Sequence, residues 1–313
     1  MESQFNGSSS ASVQQYVDVL RHQRQLSHHT LKNYQLDLQE LLDFAQSRDL
    51  SQLSYFDIRR FTSKLHAQGL NPRSIARKLS SWRGYYRWLA ESTNLVANPV
   101  DGVKAPKKSK SLPKALGTDE AVSLVSEATG DAASALADHA MFELLYSSGL
   151  RVSELVALDL RDFSDAGYHS TAWIDLEQAE VHVTGKGNKQ RIVPVGGAAL
   201  SAIRTWLDAR PQLVKTDARP LFLTARGTRM SVRLVQLRLK KHAQKTSISS
   251  DVHPHVLRHS FASHVLQSSG DLRAVQEMLG HSSIAATQVY TALDFQHLAQ
   301  VYDAAHPRAK KKD

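Results

Sequence analysis

AEVHVTGKGNKQRIVPV, residues 179–195, is where the chain leaves the helical period and takes up an alternation of two. Val181 and Val183, and later Ile192, Val193 and Val195, flank a Gly-Lys-Gly-Asn turn, a pattern that predicts a β-hairpin with Lys186 at its tip. Upstream the apolar residues recur at helical spacing. Leu31, Tyr34, Leu38, Leu41 and Phe44 form one stripe, and Ile75, Leu79, Trp82, Tyr86 and Leu89 form another behind an Asn71 cap and Pro72. Four helices fit the segment from Val13 to Ser92, with core packing the simplest role for their aromatics. Thr118 is read as the cap of a further helix, and helical patterns run through Ala135–Tyr146 and Val152–Leu158. After Gly197 the helical period returns, apart from a short LFLT run. The fold class expected is mainly α with a small β-sheet.

The chain has 313 residues, enough for two domains. Thirty-nine Lys and Arg against 30 Asp and Glu leave a formal charge of +9, which suits an acidic polymer or an anionic surface. The complete lack of cysteine excludes disulfides, thiolate metal sites and thiol nucleophiles. MESQFNGSSSAS lacks a basic start and an apolar stretch, and no later run is apolar enough to span a bilayer, so a cytoplasmic location is expected. VKAPKKSKSLPKALG, residues 103–117, carries five lysines and two prolines and marks a domain boundary. It is either a solvated spacer or a tether that follows a phosphate backbone.

HPHVLRHSFASHVL, residues 253–266, holds four histidines and one arginine. On a helix His255, Arg258 and Ala262 share one face, opposite Leu257, Phe261 and Val265. His255 and His259 have the spacing of a zinc protease, but that motif needs Glu after the first histidine and Val256 stands there, so no metal is expected. His264 is read as a satisfied core histidine. Arg258 has a planar fork that matches two phosphate oxygens. In YSSGLRVSELVALDL, Gly149 ends one helix and Arg151 opens the next near its positive end, with a salt bridge to Glu154 as the alternative reading. In LRAVQEMLGHSSIAATQVYTALD, His281 follows a helix-ending Gly280, and Tyr290 is either core or a hydroxyl nucleophile.

Taken in order, GLRVSELVALDL, VTGKGNKQRIVP, HPHVLRHSFASHVL and LGHSSIAATQVYT resemble the signature segments of the tyrosine recombinase (phage integrase) family. The resemblance implies a helical core-binding, SAM-like DNA-binding domain over 11–103, a basic linker over 104–114 and a catalytic domain over 115–313. It also implies a catalytic set of Arg151, Lys186, His255, Arg258, His281 and Tyr290, acting without metal or nucleotide cofactor. One departure is visible: DFSDAGYHSTAWIDLEQAE is several residues longer than is usual between the first arginine's helix and the hairpin. The carboxy-terminal DFQHLAQVYDAAHPRAK is similar to a bacterial branch of the family that resolves chromosome dimers. For that branch the implied partners are double-stranded DNA with a dif-like site, a XerD-type recombinase in a heterotetramer, and a septal DNA translocase. Residues 293–306 would be the helix that such subunits dock into a neighbour, or else a helix packed on its own domain.

Overall fold

The computed structural model describes residues 2–24, 26, 28–93, 95–107, 115–126, 132–165, 167–185, 190–246, 248, 252–280, 301–302 and 304–309, with backbone alone at 2–8, 28 and 29. It divides into two compact units, Met1–Ser111 and Leu112–Asp313.

The first unit consists of α1 (Glu2–His22), α2 (His28–Ala45), α3 (Tyr55–Ala67) and α4 (Pro72–Ser92). Its ends follow from local chemistry. Ser54 accepts from the Asp57 amide while Asp57 reaches back to the Ser54 amide, which is a reciprocal cap on α3. The Asn71 side chain accepts from the Arg73 amide, and Pro72 takes the first turn of α4, where its missing N–H costs nothing. The α4 stripe Ile75, Leu79, Trp82, Tyr86 and Leu89 is buried against α1 and α2 residues such as Tyr16, Leu38 and Leu41. At roughly 1.5–3 kcal/mol for each large apolar side chain, that stripe is what holds four otherwise polar helices together. Inside it Asp37 is fully buried, meeting Arg77 and Lys78 while Lys78 also meets Glu40; the Trp82 indole donates to the Asp37 carbonyl.

The second unit contains α5 (Thr118–Ser126), α6 (Ala133–Ser148), α7 (Val152–Ala157), β1 (Leu158–Asp159), β2 (Ser164–Asp165), β3 (Tyr168–His169), β4 (Ala172–Asp175), β5 (Glu180–Thr184), β6 (Gln190–Pro194), α8 (Gly197–Ala209), α9 (Val232–Lys245), α10 (Pro254–Ser269) and α11 (Leu272–Leu279). α5 opens at Thr118 itself, and the reach-back is made by Glu120, which accepts from the Gly117 amide. Thr118 is therefore the first helical residue and not the cap. The expected hairpin is β5–β6, with Val181 opposite Val193 and Val183 opposite Arg191. It belongs to a larger sheet in the order β1-β4-β5-β6, with β1 parallel to β4 and the other pairs antiparallel. The LFLT run makes only isolated bridges, Leu223 with Arg229, and Pro220 just before it with Asp159.

The long segment before the hairpin has its own anchor. β2 and β3 pair as a small ribbon, and the buried Asp159 carboxylate accepts from Tyr168, Ser170 and Arg229. Arg219 lies 3.8 Å from the centre of the Tyr168 ring. The segment is thus held by hydrogen bonds to a buried acid, ahead of the β4–β5 and β5–β6 ladders.

Candidate active site

Two glycines fix the frame. Gly149 ends α6 at φ +56°, and Gly280 ends α11 at φ +62°; both lie in the left-handed region open to residues without a Cβ. At Gly149 a Cβ would also run into the Phe261 ring, so the turn passes directly over the core face of α10.

Arg151 is the residue before the first turn of α7, extended at φ −70° and ψ 145°. Its amide donates to Oε2 of Glu154 at 2.8 Å, its guanidinium donates to Oε1 at 2.8 Å, and its other terminal nitrogen donates to the Gly280 carbonyl at 3.3 Å. The salt bridge to Glu154 and a guanidinium presented at the site are therefore compatible, and both are found. The Arg151 side chain remains 37% exposed. Arg258 sits one turn into α10, which starts at Pro254 after His253 in extended conformation. It lies on the polar face yet is buried, because it donates to the Gly149 carbonyl at 2.5 Å and to the Leu279 carbonyl at 2.6 Å.

Arg191 was not among the sequence candidates. It occupies a core-facing register position on β6 and is buried. Its two terminal nitrogens donate to Oε1 and Oε2 of Glu154 at 2.9 and 2.7 Å, and its Nε donates to the Met278 carbonyl at 3.0 Å. A signal for it exists in the sequence: Arg191 is in phase with Val193 and Val195, so an alternating strand turns a guanidinium inward.

Three consecutive carbonyls at the end of α11, those of Met278, Leu279 and Gly280, thus receive three different guanidiniums. They are the orphan acceptors at the negative end of the helix, which is why cations settle there. Against Arg151, Arg191 and Arg258 these contacts set one carboxylate, Glu154, whose two oxygens accept four hydrogen bonds. Burial alone would raise the Glu154 pKa, but the Arg191 hydrogen bonds and charge, with those of Arg151, hold it below the usual range. Arg258 is pushed down to about 10, first by burial and then by the repulsion of Arg151 and Arg191, against which Glu154 gives partial relief. The cluster carries more positive charge than it can neutralise, which is a standing preference for an added anion.

His255 is exposed at the edge of this cluster, one turn before Arg258. Its pKa is lowered by burial of part of the ring, by His253 6.1 Å away centre to centre, and by Arg258 and Arg151. At neutral pH it is a neutral imidazole that can accept a proton. His264, as the sequence suggested, is a core residue: Nε2 meets the Leu116 carbonyl and Nδ1 meets the Tyr146 hydroxyl. Among the described residues no group of three potential ligands could hold a metal ion.

Arg151, His255 and Arg258 are thus brought together. Lys186, His281 and Tyr290 lie outside the described residues. The chain enters those stretches from Gly185 and from Gly280, and it leaves the first one residue before Arg191, at Gln190.

Family models match both parts of the chain: the phage integrase family over residues 114–297, and the phage integrase N-terminal SAM-like domain over residues 13–92. The chain belongs to the phage integrase family, the tyrosine-type site-specific recombinases that cleave and rejoin DNA. Within it, the chain is 55% identical to the tyrosine recombinase XerC of Ralstonia pickettii (strain 12J) over 307 residues, covering 95% of this chain and 94% of that one. It is 47% identical to the tyrosine recombinase XerC of Pseudomonas aeruginosa (strain LESB58), covering 96% of both. Its fold matches that of the XerH site-specific recombinase bound to a palindromic difH substrate, with a TM-score of 0.65 at 19% identity over 94% of this chain and 84% of that one. The chain is a XerC-like tyrosine recombinase.

Proposed function

We propose that Arg151, Lys186, His255, Arg258, His281 and Tyr290 form one catalytic set that breaks and remakes a DNA phosphodiester through a phosphotyrosyl intermediate. The observation that carries this reading is the excess of guanidinium charge around Glu154, with Arg151 still partly open to solvent. In the proposed reaction the Tyr290 oxygen attacks phosphorus, the bond to one sugar oxygen breaks, and the phosphate passes to the tyrosine. Arg151 and Arg258 hold the non-bridging oxygens, and their fixed positive charge acts most strongly on the five-coordinate transition state. His255, its pKa lowered by partial burial and then by His253, Arg258 and Arg151, takes the tyrosine proton. Lys186 gives a proton to the departing sugar oxygen, which an arginine could not do at its higher pKa. His281 donates to a non-bridging oxygen. Because the phosphotyrosyl bond keeps the energy of the broken link, a sugar hydroxyl from another DNA end reverses the step without a nucleotide cofactor. Charge comes from side chains, so no metal is needed.

The DNA would lie along the exposed face of α9, where Arg233, Gln236, Lys240, Lys241 and His253 line a cleft of about 600 Å³. Basic groups there would hold phosphates, and the amide side chains could meet base edges. Residues 11–103 would be a second DNA-binding domain, and 104–114 the basic tether to the catalytic domain over 115–313. Similarity to XerC proteins supports action in the cytoplasm with a XerD-type recombinase, as a heterotetramer on a dif-like site, resolving chromosome dimers under a septal DNA translocase.

The test is a nicked suicide substrate, with palindromic candidate sites, with and without a XerD-type protein. The wild type is expected to trap a covalent protein–DNA species whose attachment maps to Tyr290, and Tyr290→Phe none. A covalent species that persists in Tyr290→Phe contradicts the reading, as does loss of cleavage on adding a chelator.

A further inference from the structure

Glu154 and Arg151 belong to one short helix start, yet what fixes them in space comes from elsewhere. The Arg191 fork closes on both Glu154 oxygens, at 2.9 and 2.7 Å, and the same side chain bonds the Met278 carbonyl at 3.0 Å. One residue thereby ties together α7, β6 and the end of α11. These are the three pieces of chain from which Arg151, the hairpin turn and the segment after Gly280 depart. We propose that Arg191 is a positioning residue for strand cleavage, which sets the Arg151 guanidinium through Glu154 and fixes the end of α11 at the same time.

The geometry explains why this needs an arginine. A carboxylate with four acceptor positions is filled by two terminal nitrogens of Arg191 and by the amide and guanidinium of Arg151. A lysine at 191 has one nitrogen, which cannot span both oxygens and also reach Met278. Without the Arg191 fork, Glu154 keeps only Arg151 and is free to turn its carboxyl group, and the Arg151 guanidinium turns with it. Misplacement by about 1 Å of a group that must meet a transition state costs on the order of 100-fold in rate. The cost falls on the chemical step and leaves ground-state DNA binding, which is spread over many phosphate contacts, nearly unchanged.

A pH signature separates this from simple loss of folding. Among the described residues, the charged and titratable groups around Glu154 are Arg151 beside it, Arg191 from β6 and Arg258 from α10, with His255 one turn before Arg258. With Arg191 present Glu154 is ionised throughout the working range. Without it, burial pushes the carboxyl pKa upward, and protonation releases Arg151 as pH falls. The acidic limb of the cleavage profile therefore moves to higher pH. Arg191 is not among the groups that shift His255, whose pKa is lowered first by burial and then by His253, Arg258 and Arg151.

The proposal rests on the reading of Arg151 as a phosphate clamp, and the experiment keeps the two apart. Single-turnover cleavage of a suicide substrate at saturating DNA is measured against pH for the full-length wild type, Arg191→Gln and Arg191→Lys. DNA affinity and thermal melting are followed in parallel. Arg191→Gln is expected to bind DNA within about threefold of wild type and to cleave about 100-fold more slowly. Its acidic limb moves up, and Arg191→Lys recovers about tenfold by restoring one charged bond to Glu154. A folded Arg191→Gln that cleaves at the wild-type rate, or whose slower profile keeps its acidic limb, overturns the proposal. Should Arg191→Gln not fold, a folded Arg191→Lys at the full wild-type rate overturns it equally, and a loss of about tenfold supports it. A wild type that forms no covalent species defeats the reading of the site itself, a result distinct from an active wild type with an indifferent Arg191.

Discussion

Each unit buries a cluster of ionised side chains, and the two are built differently. In the first, Asp37 and Glu40 face Arg77 and Lys78, so charges balance, and the Trp82 indole holds the Asp37 backbone. In the second, among the described residues, Glu154 alone faces Arg151 and Arg191, with Arg258 beside them donating to backbone carbonyls. A balanced cluster is complete as it stands. Removing one member leaves a partner charge buried and unpaired, which costs stability. An unbalanced one is held by helix ends and a carboxylate until an anion arrives, and its members are costly to lose for chemistry.

That contrast can be broken at several points. The largest effect is expected from Arg258→Ala, which should slow single-turnover cleavage by roughly 1,000-fold, the upper range for loss of one fixed transition-state donor. Its melting point should change far less than that loss suggests, because the substitution also removes the burial cost of the charge, which with repulsion from Arg151 and Arg191 pushes Arg258 down to about 10. The mirror image is Asp37→Asn, expected to lower unfolding free energy by about 3 kcal/mol in chemical denaturation. The loss is kept near the low end because Arg77 is partly solvated and Lys78 keeps Glu40. At a temperature where it remains folded, its rate on saturating DNA should match wild type. Were Asp37→Asn to cripple chemistry and Arg258→Ala only stability, the distinction between the clusters would be wrong.

Gly149→Ala comes next, at about 2 kcal/mol destabilisation, since it forces a side chain into a left-handed turn and against the Phe261 ring. Part of that should return in Gly149→Ala/Phe261→Leu, and strict additivity of the two changes would show that the ring is not what the new methyl meets. The smallest effect is a pH dependence. The Glu154 pKa is depressed in the folded state, so its stabilisation is complete above the ordinary glutamate pKa of about 4.3 and is lost as pH falls below it. Glu154→Gln should flatten that acidic part of the melting-temperature profile; an unchanged slope would mean that other carboxylates account for it.

Parts of the fold and of the site were legible in the sequence, for physical reasons that differ by residue, while the charge balance of the two clusters was not. The α4 stripe could be read because Ile75, Leu79, Trp82, Tyr86 and Leu89 obey one period and bury together. Arg151 and Arg258 could be read because a helix start and a polar helix face are local features. Arg191 was hidden because a basic residue after a lysine-bearing turn looks solvent-facing; only its phase with Val193 and Val195 places it inward, and only Glu154 and Met278 explain why it stays. β4 was hidden too. Four residues of AWID become a strand by pairing with β5 and, in parallel, with the two residues of β1, contacts that no local window contains.

The claim at the centre is that Arg258 and Arg151 act on the charge of one phosphate. Replacing a charged non-bridging oxygen of the scissile phosphate by a methyl group tests it directly, in single-turnover cleavage by wild type and Arg258→Ala. The roughly 1,000-fold penalty of Arg258→Ala on ordinary DNA should shrink to about tenfold or less on the neutral methylphosphonate. An equal penalty on both substrates would show that Arg258 serves the fold alone and does not act on the phosphate.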